Sequence, residues 1–148
     1  GEELSGPDVT ADDVLDATER VVGGIEVIDS RYEKFSFTLP DVIADQTSAA
    51  RVAIGDAGVA PRDVDLAAVE CVFTVDGTET GRATGSALLG DPAHCVALLA
   101  RHLARSDRGL EAGWIVLAGA PTDAQPLACG TVATASYSHF GDVTVRGI

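Results

Sequence analysis

The chain has 148 residues, 46% of them hydrophobic, which suits one domain, residues 1–148, with a proper core. Its 23 acidic residues against 10 basic ones give a formal net charge of -13. That balance argues against nucleic acid and anionic membrane surfaces as partners, because phosphates need Lys and Arg to neutralise them.

The longest apolar runs fall far short of the roughly 20 residues that a membrane-spanning helix needs. The acidic N-terminus GEELSGPDV lacks the apolar segment of a signal peptide. Cys71, Cys95 and Cys129 are widely spaced and form no CxxC, so they fit neither a disulfide framework nor a zinc site. The expectation is three small buried side chains in a reducing cytoplasm.

Thr10, with Asp13 three residues later, predicts a helix start of the capping-box kind. Val14, Ala17 and Val21 continue at helical spacing, and Gly23-Gly24 is expected to stop the helix. Ile25–Ile28 reads as a strand that places Glu26 and Ile28 on one face, Ile25 and Val27 on the other. Phe35 and Phe37 alternate with polar neighbours between Tyr32 and Thr38, which predicts a second strand. Asp41 to Ala50 is expected to hold a helical turn or short helix, with Asp45, Gln46, Thr47 and Ser48 as a polar cluster suited to capping and turns.

Arg51–Ile54 predicts a short strand ended by Gly55. The clearest half-buried strand runs from Ala67 to Val75, and Asp76-Gly77 closes it as a type I′ hairpin returning through Thr78–Thr84. Asp91-Pro92 opens the best helix, as N-cap and first helical residue. Val96, Leu99, Ala100 and Leu103 are its expected buried stripe, and Arg101 and Arg105 its exposed face. Trp114–Ala118 reads as a buried strand ending at Gly119. Two more strands are expected around Thr131–Tyr137 and Val143–Arg146, with a turn at Gly141. Strands dominate without regular βαβ repeats, which points to an α+β fold with a largely antiparallel or mixed sheet.

Familiar catalytic motifs are absent. His94 and His102 lie eight apart on one helix rather than at the spacing of a zinc-binding pair, and there is no GxSxG, Walker loop or GxGxxG. Carboxylate chemistry remains. Glu26 sits in an apolar strand, where a carboxylate loses solvation unless a cation or donor compensates. Asp29, Ser30 and Arg31 follow at once. Two readings stand at this point. Glu26 with Asp29 or Asp45 holds a hard divalent cation such as Mg²⁺ through oxygen ligands, or Glu26 pairs with an arginine.

The segment IEVIDSRYEKFSFTLPDVIADQTSAARVAIG resembles the signature of the 2-hydroxypentadienoate hydratase and 4-oxalocrotonate decarboxylase family, within the fumarylacetoacetate hydrolase superfamily. LLGDPAHCVALLARHLA, LEAGWIVLAGA and FGDVTVRGI match in the same order, so the resemblance runs from about Val14 to the end. SRY followed by the F-x-F-T-L-P-D segment is more similar to the decarboxylase branch. Hydratases tend to carry Ile and Trp where this chain has Tyr32 and Phe35.

The resemblance implies a fumarylacetoacetate-hydrolase-like mixed β-sheet roll or barrel with a few flanking helices. The implied activity is that of a metal-dependent carbon–carbon lyase, decarboxylating 2-oxo-3-hexenedioate in the meta-cleavage catabolism of aromatic compounds. Hydration of 2-hydroxypenta-2,4-dienoate and a truncated non-catalytic scaffold are the alternatives. The implied cofactor is Mg²⁺ or Mn²⁺ held by three acidic side chains, of which one falls on Glu26. The other two form an E-x-E pair expected before the start of this chain, so Glu2 and Glu3 are not taken for it. The catalytic lysine is also expected upstream, and Lys34 is not its counterpart.

The chain thus resembles the C-terminal catalytic portion of a longer enzyme. Asp29 and Arg31 are expected to orient the ligands or bind a substrate carboxylate, and Asp45 and Ser48 to line the pocket. Gly119 is expected to let the backbone approach the ligand. Bland counterparts are an Asp29–Arg31 salt bridge, capping by Asp45 and Ser48, and a strand-end turn at Gly119. Gln46 stands where the family usually has Asn, and Ser36 where decarboxylases often carry Lys. Expected partners are a small 2-oxo acid and either a hydratase or further copies of the chain.

Overall fold

The computed structural model describes every residue, Gly1–Ile148. Helix α1 spans Ala11–Ala17 and opens with the capping box read from the sequence: Asp13 N donates to Thr10 Oγ1 at 3.2 Å and Thr10 N donates to Asp13 Oδ2 at 2.8 Å. It ends well before Gly23, because Val21–Ile28 is claimed by strand β1, which pairs antiparallel with β2 over Ala49–Val59. Gly23-Gly24 is therefore not a helix stop. A Cβ on Gly23 would lie 2.6 Å from Tyr137 Cδ2, so the glycine makes room for the tyrosine ring, whose hydroxyl donates to Gly24 O at 2.7 Å. Burial pushes that hydroxyl up to about 12, so it stays a neutral donor.

Strands β3 (Glu70–Val75), β4 (Thr78–Thr84), β5 (Val132–Tyr137) and β6 (Gly141–Arg146) form a second antiparallel sheet in the order β4-β3-β5-β6. Asp76 (φ 48°) and Gly77 (φ 78°) are both left-handed, as a type I′ turn demands. The β1–β2 ribbon packs on this sheet through Ile25, Cys71, Ala135 and Val143. Strand β2 continues through Gly55, where a Cβ would come within 3.1 Å of the Val143 side chain. The α+β class is what the chain forms, and its strands make two antiparallel sheets that do not close into a barrel.

Helix α2 covers Leu39–Ala44 and α3 covers Pro92–Ala104, the latter with Asp91 Oδ1 accepting from Ala93 N at 2.7 Å. Of the expected stripe on α3, Ala100 is fully buried and Val96 and Leu103 pack on the same core, and the fully buried line is completed by Ala93 and Ala97. Small side chains bring α3 close to Val9, Val14 and Leu110, and Leu99 is left on the exposed side. Three further expectations are corrected. Tyr32–Thr38 is no strand, because Lys34 (φ 58°) and Phe35 (φ 52°) are left-handed and break the alternation. Trp114–Ala118 joins no sheet, and Trp114, Ile115 and Leu117 are exposed. Of the cysteines only Cys71 is buried; Cys129 is exposed, and all three are free thiols.

Gly23→Ala should destabilise the fold by about 1–3 kcal/mol, since the added methyl overpacks a site closed by Tyr137. Gly24→Ala, whose Cβ would meet only Ala53 O at 3.5 Å, should change stability by less than about 1 kcal/mol. Urea unfolding of the two variants beside the parent checks the difference.

Candidate functional site

The loop between β1 and β2 carries most of the residues singled out by the sequence. Its two ends are stitched together where Asp29 N donates to Ser48 O at 2.8 Å, just past the last β1 residue. Inside the loop, Thr38 and Asp41 form a second capping box, with Thr38 N donating to Asp41 Oδ2 at 2.9 Å, and this starts α2. Asp45 ends α2. Gln46, Thr47 and Ser48 then take φ of 52°, 56° and 61°, a left-handed turn built without glycine. Each such residue costs on the order of 1–2 kcal/mol, so the turn persists only because its surroundings hold it.

What holds it is the Asp45 carboxylate, whose side chain is 3% exposed. Ser48 Oγ, itself buried, donates to Asp45 Oδ2 at 2.9 Å, and the Arg31 backbone N–H donates to the same oxygen at 3.3 Å. Ser30 Oγ adds a longer contact at 3.4 Å. Arg31 Nε lies 3.2 Å from Asp45 Oδ1, and Arg31 Nη1 donates to the Asp45 carbonyl oxygen at 3.1 Å. Burial pushes the Asp45 carboxyl up. The hydrogen bonds from Ser48 and Arg31, the Arg31 charge and Ser30 outweigh it and hold the group below the usual aspartate range.

Asp45, Ser48 and Arg31 are thus brought together, and Ser30 joins them. Arg31 pairs with Asp45, not with Asp29. Asp29 is exposed and its carboxylate has no ion-pair partner. Gly119, at φ 119°, is exposed and faces Leu88, 3.2 Å from where a Cβ would lie; no hydrogen bond links it to the loop. The signal missed in the sequence is the left-handed turn, because Gln46, Thr47 and Ser48 contain no glycine to mark positive φ.

Glu26 lies on β1 opposite Val52 of β2. The predicted facing holds: Ile25 is buried, while Glu26 and Ile28 are exposed. Two expectations change with that. The carboxylate is not desolvated in this chain, and it forms no ion pair with an arginine. No group of three or more His, Cys, Asp or Glu side chains could hold a metal ion. Mg²⁺ takes near-octahedral oxygen coordination, commonly one or two carboxylates with waters and substrate oxygens. One solvated glutamate can join such a set but does not make it, so the residues of this chain alone do not fit a complete metal site. A surface groove of about 730 Å³ lies along α3 between Pro7 and Arg105 and includes none of these residues.

No protein-family model matches the chain. It is 38% identical over 145 residues to the 4-oxalocrotonate decarboxylase of Pseudomonas sp. (strain CF600), covering 98% of this chain and 55% of that protein. The 2-hydroxyhexa-2,4-dienoate hydratase of Comamonas testosteroni is 37% identical over 128 residues, 86% of this chain and 48% of the hydratase. Among solved structures, the Pseudomonas putida G7 4-oxalocrotonate decarboxylase complexed with magnesium and adipate superposes with a TM-score of 0.95 at 36% identity. That match covers 99% of this chain and 56% of the decarboxylase. The chain belongs to the 4-oxalocrotonate decarboxylase and 2-hydroxypentadienoate hydratase family. It spans about half the length of the curated family members it matches. The two antiparallel sheets and few helices are therefore the family's fold over that span, and no helix is long and apolar enough to cross a membrane.

Because the Asp45 pKa is depressed in the folded state, its stabilising contribution is present above about pH 4, the unfolded value. It is lost as pH falls through the lower folded value. Asp45→Asn should therefore be less stable than the parent at pH 7, with the gap narrowing as pH falls below about 4. Denaturant midpoints of the two proteins, followed from pH 7 downward, check the sign.

Proposed function

We propose that the chain forms one wall of the active site of a divalent-metal-dependent decarboxylase acting on 2-oxo-3-hexenedioate. The observation that carries this reading is the close superposition, at 36% identity, on a decarboxylase complexed with magnesium and adipate. Adipate is an unbranched six-carbon dicarboxylate, the same carbon count and end groups as the proposed substrate. Glu26 is assigned as one ligand of Mg²⁺ or Mn²⁺, with the remaining donors outside this chain. The setting is the meta-cleavage catabolism of aromatic compounds in the cytoplasm, with a hydratase or further copies of the chain as partners.

The substrate is a vinylogous keto acid. Breaking the bond between C5 and the distal carboxylate releases CO₂, and the electron pair moves through the conjugated carbons to the 2-oxo oxygen. A proton at that oxygen completes 2-hydroxypenta-2,4-dienoate. Such a reaction needs cations and donors near both carboxylates and a fixed geometry between them.

On this reading Arg31 offers the outward part of its guanidinium to a substrate carboxylate. Its Nε is held by Asp45, and its side chain remains 56% exposed. Asp45 and Ser48 act through Arg31 by locking its orientation, and Asp29 stands free at the end of the Glu26 strand. Gly119 is assigned to the same pocket only through its place in the family's segment. The hydratase reading is favoured by one specific observation, the match to the Comamonas testosteroni hydratase over 86% of the chain.

Intact protein given 2-oxo-3-hexenedioate and Mg²⁺ should release CO₂, stop on chelation and recover when the metal is restored. Water uptake by 2-hydroxypenta-2,4-dienoate without CO₂ release would decide for the hydratase. Glu26→Gln should lower kcat/KM by roughly 100-fold or more, as expected for a lost metal ligand. Its thermal midpoint should not move, since the side chain is exposed. Turnover indifferent to both chelator and substitution would overturn the metal-dependent reading, and no turnover with Mg²⁺ present would leave a scaffold role.

A further inference from the structure

Strand β1 ends in an apolar residue that the core does not use. Ile28 shares the exposed face of β1 with Glu26, and Val52 stands directly opposite Glu26 on β2. Ile28 is 37% exposed and Val52 47%, and neither belongs to a buried core cluster. Directly paired side chains of an antiparallel ribbon lie about 5 Å apart on one face, and residues two apart along a strand about 6.6 Å. Glu26 is therefore flanked on two sides by branched hydrocarbon.

The strand register slips at this point. Val27 pairs with Arg51 but Ile28 with Ala49, so Ala50 is an extra residue on β2, a bulge of the kind that re-aims neighbouring side chains. Opposite Ile28 the ribbon thus offers only the methyl groups of alanines. Arg31 Nη2 lies 3.5 Å from Ala49 O while Arg31 Nε is held by Asp45, so the guanidinium stands beside the residue paired with Ile28. Across this face the order is carboxylate, branched hydrocarbon, guanidinium: Glu26, Ile28, Arg31.

We propose, resting on the decarboxylase reading above, that Ile28, backed by Val52, is a specificity-determining contact for the hydrocarbon segment of a linear dicarboxylate lying between Glu26 and Arg31. Glu26 marks the end at which the cation is held, and Arg31 receives the carboxylate at the other. An apolar wall between two charged ends favours a chain long enough to reach both and free of polar groups in its middle. A shorter diacid reaches one end only. A hydroxyl on a middle carbon would be set against Ile28 without a hydrogen-bond partner. In an apolar contact, one methylene too many or too few changes binding by roughly 10- to 200-fold.

Calorimetry of the intact protein with Mg²⁺, using the saturated diacids adipate, glutarate and succinate as probes, tests this without turnover. The parent should bind adipate about tenfold or more tightly than glutarate or succinate. Ile28→Ala should weaken adipate by about tenfold and bring the diacids close to one another, and Val52→Ala should act in the same direction more weakly. A general loss of stability would weaken every diacid alike, so the ratio of affinities reports the contact. A parent that does not distinguish the diacids would overturn the proposal, as would an Ile28→Ala variant that keeps the parent's ratio. Adipate bound with the expected ratio by a protein that releases no CO₂ would support the contact and sink the decarboxylase reading instead.

Discussion

A buried carboxylate with cationic and hydroxyl partners organises the long excursion between β1 and β2. Asp45 receives Ser48, the Arg31 backbone and Ser30 on one oxygen and the Arg31 guanidinium on the other. Removing an ionised group from water is tolerable only with this degree of compensation. Because those partners come from both ends of the loop, the same network holds three residues in a left-handed turn and ties Arg31 down. It also closes the strand ends through the Asp29–Ser48 backbone bond. Glu26 stands on the strand that this arrangement terminates.

A second constraint couples the ribbon to the larger sheet. Tyr137 reaches from β5 across to β1 and donates to Gly24 O, and Gly23 leaves the space its ring occupies. Ile25, next along β1, is buried with Cys71, Ala135 and Val143, and this points its neighbour Glu26 the other way. Core packing on one side of β1 thus determines that the acid is presented on the other. That face of β1 is open to solvent at Glu26 and Ile28.

The family members extend well beyond the span matched here. Trp114–Ala118 is an exposed apolar segment that joins no sheet, and Glu26 is an exposed carboxylate with no ion-pair partner.

Local chemistry by itself determined the Thr10–Asp13 helix start, the Asp91-Pro92 helix start and the Asp76-Gly77 hairpin. Each rests on hydrogen bonds or backbone angles within a few residues. Ordered motif resemblance determined the family and singled out Glu26, Asp45 and Ser48. Tertiary structure alone decided that Arg31 pairs with Asp45 and not with Asp29, since that contact spans a loop whose left-handed turn no glycine announces. It also decided that Gly23 serves Tyr137, over a hundred residues away, and that Ala93 and Ala97 join Ala100 in the buried line of α3. Periodicity registers which residues are apolar, but which of them meet a partner depends on surfaces brought together from distant parts of the chain.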